Sequence, residues 1–165
     1  MKEYFDLLDE HGNPVPERVP RGTKLPPNRN ILAVHIFLQD VQGDYLIQKR
    51  SQNKALWPGL WDVTAGGVQA GETSREAAVR EVREELGLYV PPEAMQKIAR
   101  LRRHPAFWDI WYARIPIDVD QCKLQTSEVD EIKLVPKADL LSLFDQEKLR
   151  DEEYLGLVDK YLPEK

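Results

Sequence analysis

Short runs of apolar residues, separated by turn-forming residues, characterise the first half of the chain. Residues 4–8 precede a turn-rich stretch, which predicts a hairpin within residues 1–15. The proline-rich residues 15–30 predict an extended connection, in which we interpret Arg21, Lys24 and Arg29 as solvated residues. Residues 31–38 form an apolar run, and with residues 45–50 they predict a second hairpin around a Gly-Asp turn. We therefore expect mainly β-structure up to residue 50.

The hydrophobic period then changes from two residues to about 3.6, which predicts a helix after a strand at residues 61–65. Thr73, with Glu76 three residues further on, forms the sequence pattern of a capping box. Gly87 is the residue type that ends helices in a left-handed conformation. These signals predict a helix that begins after Thr73 and ends at Gly87.

The remaining chain predicts strands at residues 95–102, 106–115 and 131–135, then helices from Pro136 and over residues 147–162. The order of the predicted elements, with strands first, one helix between strands and helices last, indicates a mixed sheet with helices on both sides. The length suits one domain over residues 1–165, in which residues 1–30 form an amino-terminal hairpin and extended arm.

Four aromatic or reactive positions have a structural and a functional interpretation. His35 interrupts an apolar strand, where a hydrogen-bonded histidine is more common than a ligand. Alternation along a strand places Trp108 and Trp111 on opposite faces, which makes one of these faces a candidate lining for a substrate pocket. Cys122 is the single cysteine, and no nucleophile motif surrounds it, so we interpret it as an incidental thiol.

Composition narrows the function classes. A 42% hydrophobic and 31% charged chain is typical of a globular protein rather than a disordered or membrane one. The net charge of −5 argues against nucleic-acid binding, which needs a basic surface. One cysteine cannot form an internal disulfide, and the first residues lack the apolar run of a secretory signal, so we expect a cytoplasmic protein.

The predicted helix carries a cluster of acidic side chains. At about 100° per residue, Glu81, Glu84 and Glu85 fall within an arc of roughly 100°. Their repulsion needs compensation, and Arg80 can pair with Glu84 but cannot neutralise all three. Hard cations such as Mg²⁺ prefer carboxylate oxygens together with substrate phosphates, and the preceding glycine loop leads to a helix terminus that favours phosphate.

The stretch from Gly66 to Leu88 resembles the Nudix signature at every specified position: glycine, five residues, glutamate, seven residues, then Arg-Glu-Val-x-Glu-Glu-x-Gly-Leu. The resemblance implies an α/β/α sandwich with a mixed β-sheet and a metal-dependent hydrolase that cleaves diphosphate linkages in small substrates. It implies ligands for Mg²⁺, with Mn²⁺ as an alternative, at Glu81, Glu84, Glu85 and a backbone carbonyl near Gly66. Glu72 and Arg80 match positions that orient the helix and its carboxylates.

The group that activates the water varies among Nudix enzymes, and the motif leaves it open. Glu128 is our candidate for an additional catalytic base or ligand, since many members keep a further acid in the corresponding loop. Glu131 is its rival on the strand that follows.

Residues 44–88 also resemble the superfamily branch that contains isopentenyl-diphosphate isomerases, in which the positions of Arg50 and Lys54 contact the diphosphate. Those isomerases need a catalytic cysteine and metal-binding histidines, whereas this chain has Ala65 and Gly67 at matching positions and Asn30 near another. We therefore favour a diphosphohydrolase acting on a nucleoside-diphosphate-type substrate. The alternatives are an isomerase and a non-catalytic nucleotide-sensing domain. Oligomeric state stays open, with a homodimer as one option.

Overall fold

Nine strands and three helices form the chain, and the computed structural model describes all of residues 1–165. The strands are β1 (Tyr4–Leu8), β2 (Pro14–Pro20), β3 (Ile31–Gln39), β4 (Tyr45–Arg50), β5 (Trp61–Asp62), β6 (Thr64–Gly67), β7 (Gln96–Arg103), β8 (Ala106–Arg114) and β9 (Val129–Val135). The helices are α1 (Ser74–Leu86), α2 (Lys137–Glu147) and α3 (Glu152–Tyr161). β3 to β9 form one mixed sheet, and β1 and β2 form a separate antiparallel pair. The predicted α/β/α sandwich with a mixed sheet is confirmed.

β3 is the central strand of the mixed sheet. It pairs in parallel with β8 and antiparallel with β6, and β7 extends the sheet beyond β8. β3 and β4 pair as the predicted hairpin only next to the turn, where Gln39 opposes Tyr45. Beyond that pair, β4 diverges and pairs with β5 and β9. The divergence leaves room for β6 beside β3, and β6 is the strand that leads into the glycine loop.

α1 covers one face of the sheet and has the predicted ends. Thr73 Oγ1 accepts a hydrogen bond from the N–H of Glu76 at 3.2 Å, and Glu76 Oε2 accepts one from the N–H of Thr73 at 2.8 Å. Gly87 ends the helix with φ 68°, a conformation that glycine adopts without strain. The apolar stripe that includes Val82 and Leu86 packs in a core with residues of β3 and β8. The carboxylate edge of α1 is thereby fixed relative to the sheet.

α2 and α3 cover the opposite face, over a core that includes Phe37, Phe144 and Tyr154. His35 lies on this face, and its Nδ1 is 2.9 Å from the Tyr154 hydroxyl oxygen. Burial lowers the pKa of His35 well below its usual value, and the charge of Arg150 acts in the same direction. His35 is therefore the hydrogen-bonded strand residue that the sequence predicted. None of the three helices has the length and apolar character needed to cross a membrane.

Trp108 and Trp111 lie on opposite faces of β8, as alternation predicted. Trp108 stacks on His35 with ring centroids 4.5 Å apart. Trp111 is 4% exposed in the α1 core, and its Nε1 donates to Ser74 Oγ at 2.9 Å. Both rings pack against helical layers, and neither is among the residues that line the polar cavity at the acidic edge of α1.

The amino-terminal segment also differs from the prediction. Residues 15–30 are not only an extended connection, because Pro14–Pro20 forms strand β2 and pairs with β1. Proline is compatible with an edge strand, where every second N–H faces away from the partner. The hairpin is therefore longer than residues 1–15, and it brings residues just after Pro20 back beside Glu3.

Candidate active site

A small polar cavity lies where the end of β6, the acidic edge of α1 and the loop before β9 meet. Its volume is about 130 Å³. Seven of its lining residues were predicted from the sequence as site residues: Lys54, Gly66, Arg80, Glu81, Glu84, Glu85 and, from the loop before β9, Glu128. The structure therefore brings the predicted carboxylates of two separate segments to one place.

Gly66 and Glu81 are in close contact across the base of this cavity. A Cβ atom on residue 66 would lie 2.1 Å from Cδ of Glu81, so the carboxylate could not keep its present position. Residue 66 must therefore be glycine for the Glu81 carboxylate to lie against the backbone at the end of β6.

Glu85 has the most perturbed carboxylate of the site. It is buried, and Gln48 Nε2 donates a hydrogen bond of 2.6 Å to its Oε2, while Thr64 Oγ1 donates to Gln48 Oε1 at 2.9 Å. Burial raises the pKa of Glu85 to about 8; the hydrogen bond from Gln48 opposes this shift, and the charges of Glu81 and Glu128 increase it. The ionised form of Glu85 is thus held at a free-energy cost unless a cation compensates it.

Arg80 connects the acidic residues of α1 to the glycine loop. Its Nε donates to Glu72 Oε1 at 2.7 Å, and its Nη1 donates to Glu81 Oε1 at 2.7 Å and Glu84 Oε2 at 3.2 Å. Its Nη2 donates to the carbonyl oxygen of Gly67 at 3.0 Å. Burial raises the pKa of Glu81, and Arg80 opposes that shift. Glu72 and Arg80 therefore lie where they can orient the α1 carboxylates.

Lys54 and Glu128 form a salt bridge within the cavity lining. The loop that carries Glu128 is joined to the segment after β4 through a 2.9 Å hydrogen bond from the N–H of Ser51 to the Glu128 carbonyl oxygen. The rival residue Glu131 is exposed on β9 and is not among the lining residues. Position thus favours Glu128 over Glu131.

The side chain of Arg50, unlike that of Lys54, does not line the cavity. Its Nε donates to the carbonyl oxygens of Leu56 and Trp57, both at 3.1 Å, and its Nη2 donates to that of Leu56 at 2.9 Å. The residue is absent from the cavity lining and instead holds the loop between β4 and β5. The predicted pairing of Arg50 and Lys54 as joint phosphate contacts is therefore not supported by their positions.

Four lining residues were not predicted from the sequence as site residues: Glu3, Arg21, Ala65 and Gln125. Arg21 in particular was interpreted as a solvated residue of the extended arm. No local signal identifies it, because its position depends on β2 returning along β1 and on both strands packing beside the glycine loop. The buried Gln48, which bonds Glu85, carried no motif either.

The lining suits a divalent cation in its chemistry, since its five carboxylates supply only oxygen donors. The high pKa of Glu85 also shows a buried carboxyl short of positive charge. The side chains are, however, turned towards Arg80, Lys54 and Gln48, and no three acidic, histidine or cysteine side chains converge as ligands of one ion. Binding of an ion therefore requires new rotamers at Glu81 and Glu128.

The positions related to the isomerase branch give no support for isomerisation. Ala65 lines the cavity without a reactive group, and Phe5 fills the space next to Gly67, where a Cβ would lie 2.6 Å from Phe5 Cε1. Asn30 is buried and bonds His104. Cys122 is not among the lining residues, and burial raises the pKa of its thiol, which disfavours the nucleophilic thiolate.

Comparison with known proteins gives consistent matches over most of the chain. A family model described as NUDIX domain matches residues 29–156. An uncharacterized Nudix hydrolase from Listeria innocua is 37% identical over 142 residues, which are 86% of this chain and 84% of the relative. An isopentenyl-diphosphate delta-isomerase from Cutibacterium acnes is 35% identical over 100 residues, 58% of this chain and 49% of that enzyme.

Solved structures show the same fold. A Deinococcus radiodurans protein superposes with a TM-score of 0.75 at 26% identity, covering 96% of this chain and 98% of its own. The NUDIX domain of Shewanella oneidensis NrtR, determined in complex with ADP ribose, has a TM-score of 0.61 at 19% identity and covers 88% and 94%. The latter likeness concerns the fold alone.

Proposed function

Since the chain belongs to the Nudix hydrolase family, we propose that it hydrolyses a diphosphate linkage in a small nucleoside-diphosphate-type substrate with the help of Mg²⁺ or Mn²⁺. Nudix hydrolases cleave pyrophosphate bonds in nucleoside diphosphate derivatives and generally use divalent cations. The observation that carries the proposal for this chain is the single cavity that unites Glu81, Glu84, Glu85 and Glu128 with Gly66.

In this proposal Glu81, Glu84 and Glu85 hold the cation with the backbone of Gly66, and Glu128 is a further ligand or the base for the attacking water. A bound divalent ion would neutralise charge on the phosphate oxygens and make the water more acidic. Glu85 is suited to this role because it is buried, oriented by Gln48 and not paired with a cationic side chain.

Arg80 and Lys54 have different roles in the same scheme. Arg80 keeps the α1 carboxylates in position through Glu72 and the Gly67 carbonyl oxygen. Lys54 exchanges its Glu128 partner for a substrate phosphate, since an ammonium binds either oxygen anion. We assign Arg50 to holding the loop that carries Lys54 rather than to direct phosphate contact.

The size of the cavity indicates how the substrate lies. About 130 Å³ holds a diphosphate group and ions but is smaller than the roughly 300 Å³ or more of ordinary ligand pockets. The rest of the substrate must therefore lie outside it. An open depression of about 760 Å³ on the outer face of α1 shares Arg80 and Glu84 with the cavity and offers one such space.

A panel of nucleoside diphosphate derivatives, assayed with Mg²⁺ and with Mn²⁺ for released phosphate and nucleotide products, tests the proposal. We expect metal-dependent turnover of at least one compound and its loss on EDTA treatment. Glu84→Gln and Glu85→Gln should each abolish most activity, and retained activity in both would refute the metal assignment.

A matched pair of substitutions tests the additional acid. Glu128→Gln should reduce turnover strongly because the residue lines the cavity, whereas Glu131→Gln should leave it near wild type because that side chain is exposed on β9. Equal effects of the two changes would contradict the assignment of Glu128.

The isomerase alternative is motivated by the similarity to the Cutibacterium enzyme. Double-bond migration in isopentenyl diphosphate without incorporation of water would support it, but the cavity lining contains no cysteine. Tight nucleotide-diphosphate binding without any turnover in the panel would instead favour a sensing domain.

A further inference from the structure

The amino-terminal hairpin is bound directly to the glycine loop of the active site. The ring of Phe5 lies against Gly67, where a Cβ atom would come within 2.6 Å of Cε1. The N–H of Ala70 donates to the carbonyl oxygen of Tyr4 at 2.7 Å, and that of Gly71 donates to Asp6 Oδ2 at 2.7 Å. β1 and β2 therefore have a fixed position at the site, although both precede residue 29, where the NUDIX domain match begins.

This docking places Arg21 at the edge of the cavity. The N–H of Arg21 donates to the carbonyl oxygen of Glu3 at 2.9 Å, and its Nη1 lies 2.7 Å from Glu3 Oε2. The pKa of Arg21 is raised, first by this hydrogen bond and further by the charges of Glu128 and Glu81. Arg21 thus belongs to the electrostatic environment of the carboxylates, at a position that the hairpin determines.

Arg21 is also the cation of the lining that is least engaged by protein groups. Arg80 uses all three guanidinium nitrogens on Glu72, Glu81, Glu84 and Gly67, and Lys54 pairs with Glu128. Arg21 uses a single guanidinium nitrogen on one carboxylate, and its side chain is 59% exposed. Its other two guanidinium nitrogens have no protein acceptor and can form a bidentate contact with an oxyanion.

The lining has more acidic than basic side chains, so an incoming diphosphate needs a cation at the edge of the cavity. Five glutamates face three cationic side chains around the cavity. A diphosphate that enters from outside meets this excess of negative charge, and a weakly engaged arginine at the edge is suited to binding it.

We propose that Arg21 is a substrate-binding residue supplied by the amino-terminal hairpin, which binds the phosphate distal to the metal-binding carboxylates, with Glu3 as the partner that the phosphate displaces. This inference rests on the proposed function because it assumes a diphosphate in the cavity. It assigns a binding role to a segment outside the matched family domain.

The ion pair provides a test that separates binding from structure. If the pair served only to hold the hairpin, removing either partner would have the same effect. If Glu3 competes with phosphate for Arg21, removing Arg21 weakens anion binding and removing Glu3 does not. The two single variants are therefore expected to differ: only the loss of Arg21 should weaken binding.

Methylenediphosphonate, which cannot be hydrolysed, is the probe, and its binding in the presence of Mg²⁺ is measured by calorimetry. We expect Arg21→Ala to weaken binding about 10- to 100-fold, the range expected for losing hydrogen bonds to a charged group. Glu3→Gln should bind as wild type or a few-fold more tightly. Equal weakening in both variants, or no change in Arg21→Ala, would overturn the proposal.

Arg18→Ala is the matched control, because Arg18 lies on the same hairpin, pairs with Asp6 at 3.2 Å and is 62% exposed, but does not line the cavity. It should bind the probe as wild type. Arg21→Lys should recover part of the lost affinity, since it keeps the charge without the planar fork. Failure of Arg21→Lys to recover any affinity in a variant that melts as wild type would count against a charge contact.

The two proposals can fail separately. If no compound is hydrolysed but probe binding depends on Arg21, the binding role stands and the hydrolase assignment falls. If hydrolysis occurs and Arg21→Ala has wild-type KM, kcat and probe affinity, the inference about Arg21 is wrong while the proposed function stands.

Discussion

The two faces of the mixed sheet both bury charged side chains, but they compensate them differently. On the face covered by α2 and α3, Arg150 Nη2 lies 2.5 Å from Asp62 Oδ1, and three aromatic rings lie within 5.7 Å of its Cζ atom. On the α1 face, Glu85 is buried with a neutral hydrogen-bond partner, Gln48, and other carboxylates nearby. One face contains a neutralised pair, whereas the other keeps an excess of negative charge beside a cavity.

This difference indicates what each face contributes. An uncompensated buried charge costs folding free energy, so it persists where binding of a cation or substrate requires it. A paired buried charge also loses its hydration, but removing one partner is expensive because the other is then left uncompensated. The α2–α3 face is therefore expected to dominate stability, and the α1 face to dominate activity.

Breaking the buried pair should have the largest effect on stability. Arg150→Met leaves the Asp62 carboxylate buried without its partner, and we expect a loss of about 3–5 kcal/mol in the free energy of unfolding. Urea denaturation measures it, and the folded protein should retain its turnover number. Arg103→Met, which removes a more exposed arginine paired with Asp151, should cost about 1 kcal/mol or less. Similar losses in the two variants would contradict the contrast.

The Glu85→Gln substitution should separate activity from stability. A carboxylate that holds a cation at the reacting phosphate stabilises the transition state by several kcal/mol. We therefore expect its loss to lower turnover about 100-fold or more. The melting temperature of the EDTA-treated variant at pH 8 should be equal to or above that of wild type, because the amide carries no buried charge.

The pH dependence of that stability follows from the pKa of Glu85. The pKa of about 8 in the folded protein lies above the usual glutamate value of 4.5. The contribution of protonated Glu85 to the free energy of unfolding is therefore complete below pH 4.5 and is lost as the pH rises through about 8. The difference between wild type and Glu85→Gln in EDTA should widen from pH 5 to pH 8. A difference that narrows over this range would show that Glu85 is not strained.

His35, on the other face, should respond to pH in the opposite direction. Its pKa is lowered by burial and by the charge of Arg150, so the neutral form stabilises the fold above the unfolded value of 6.5. That contribution is lost as the pH falls below 6.5 towards the lowered folded pKa. The melting temperature of wild type should therefore fall more steeply below pH 6.5 than that of His35→Gln. The exposed His11→Gln substitution is the control and should follow wild type.

Removal of a helix cap should have the smallest effect on stability, and the loss should be similar on both faces of the sheet. Thr73 caps α1 and Asp151 caps α3 through side-chain bonds to backbone N–H groups of 3.2 and 2.9 Å. Thr73→Ala and Asp151→Ala should each cost about 1 kcal/mol in thermal denaturation, with Asp151 somewhat higher because it also pairs with Arg103. Thr73→Ser and Asp151→Asn, which keep a capping oxygen, should recover most of the loss. A large difference between the two alanine variants would mean that local helix energetics also distinguish the faces.

Local signals in the sequence were sufficient for α1 and its carboxylates. The relevant contacts all lie within a few turns of one helix, so they can be read from neighbouring residues. They are the capping pair Thr73 and Glu76, the glycine at 87 and the spacing of the glutamates. The strands at residues 31–39 and 106–114 were also predictable, because their apolar runs reflect burial in the sheet.

The features that sequence reasoning missed depend on contacts between distant segments. Arg21 was interpreted as a solvated residue of the arm, whereas Arg50 was assigned to phosphate contact from the resemblance to the isomerase branch. Their environments differ because a returning strand places Arg21 beside Glu3, while the carbonyl oxygens of Leu56 and Trp57 bind Arg50. Likewise, alternation placed Trp108 and Trp111 on two faces correctly, but it could not show that helices cover both.

The contact between Phe5 and Gly67 limits the order in which this sequence can change during evolution. Gly67 has no positive φ, so its backbone would accept other residues, but the ring of Phe5 fills the space that a side chain needs. A larger residue at position 67 therefore becomes acceptable only after position 5 has become smaller. The same first step would loosen the hairpin that holds Arg21. Mutational routes to a new side chain at position 67 thus pass through an intermediate with a weakened amino-terminal hairpin.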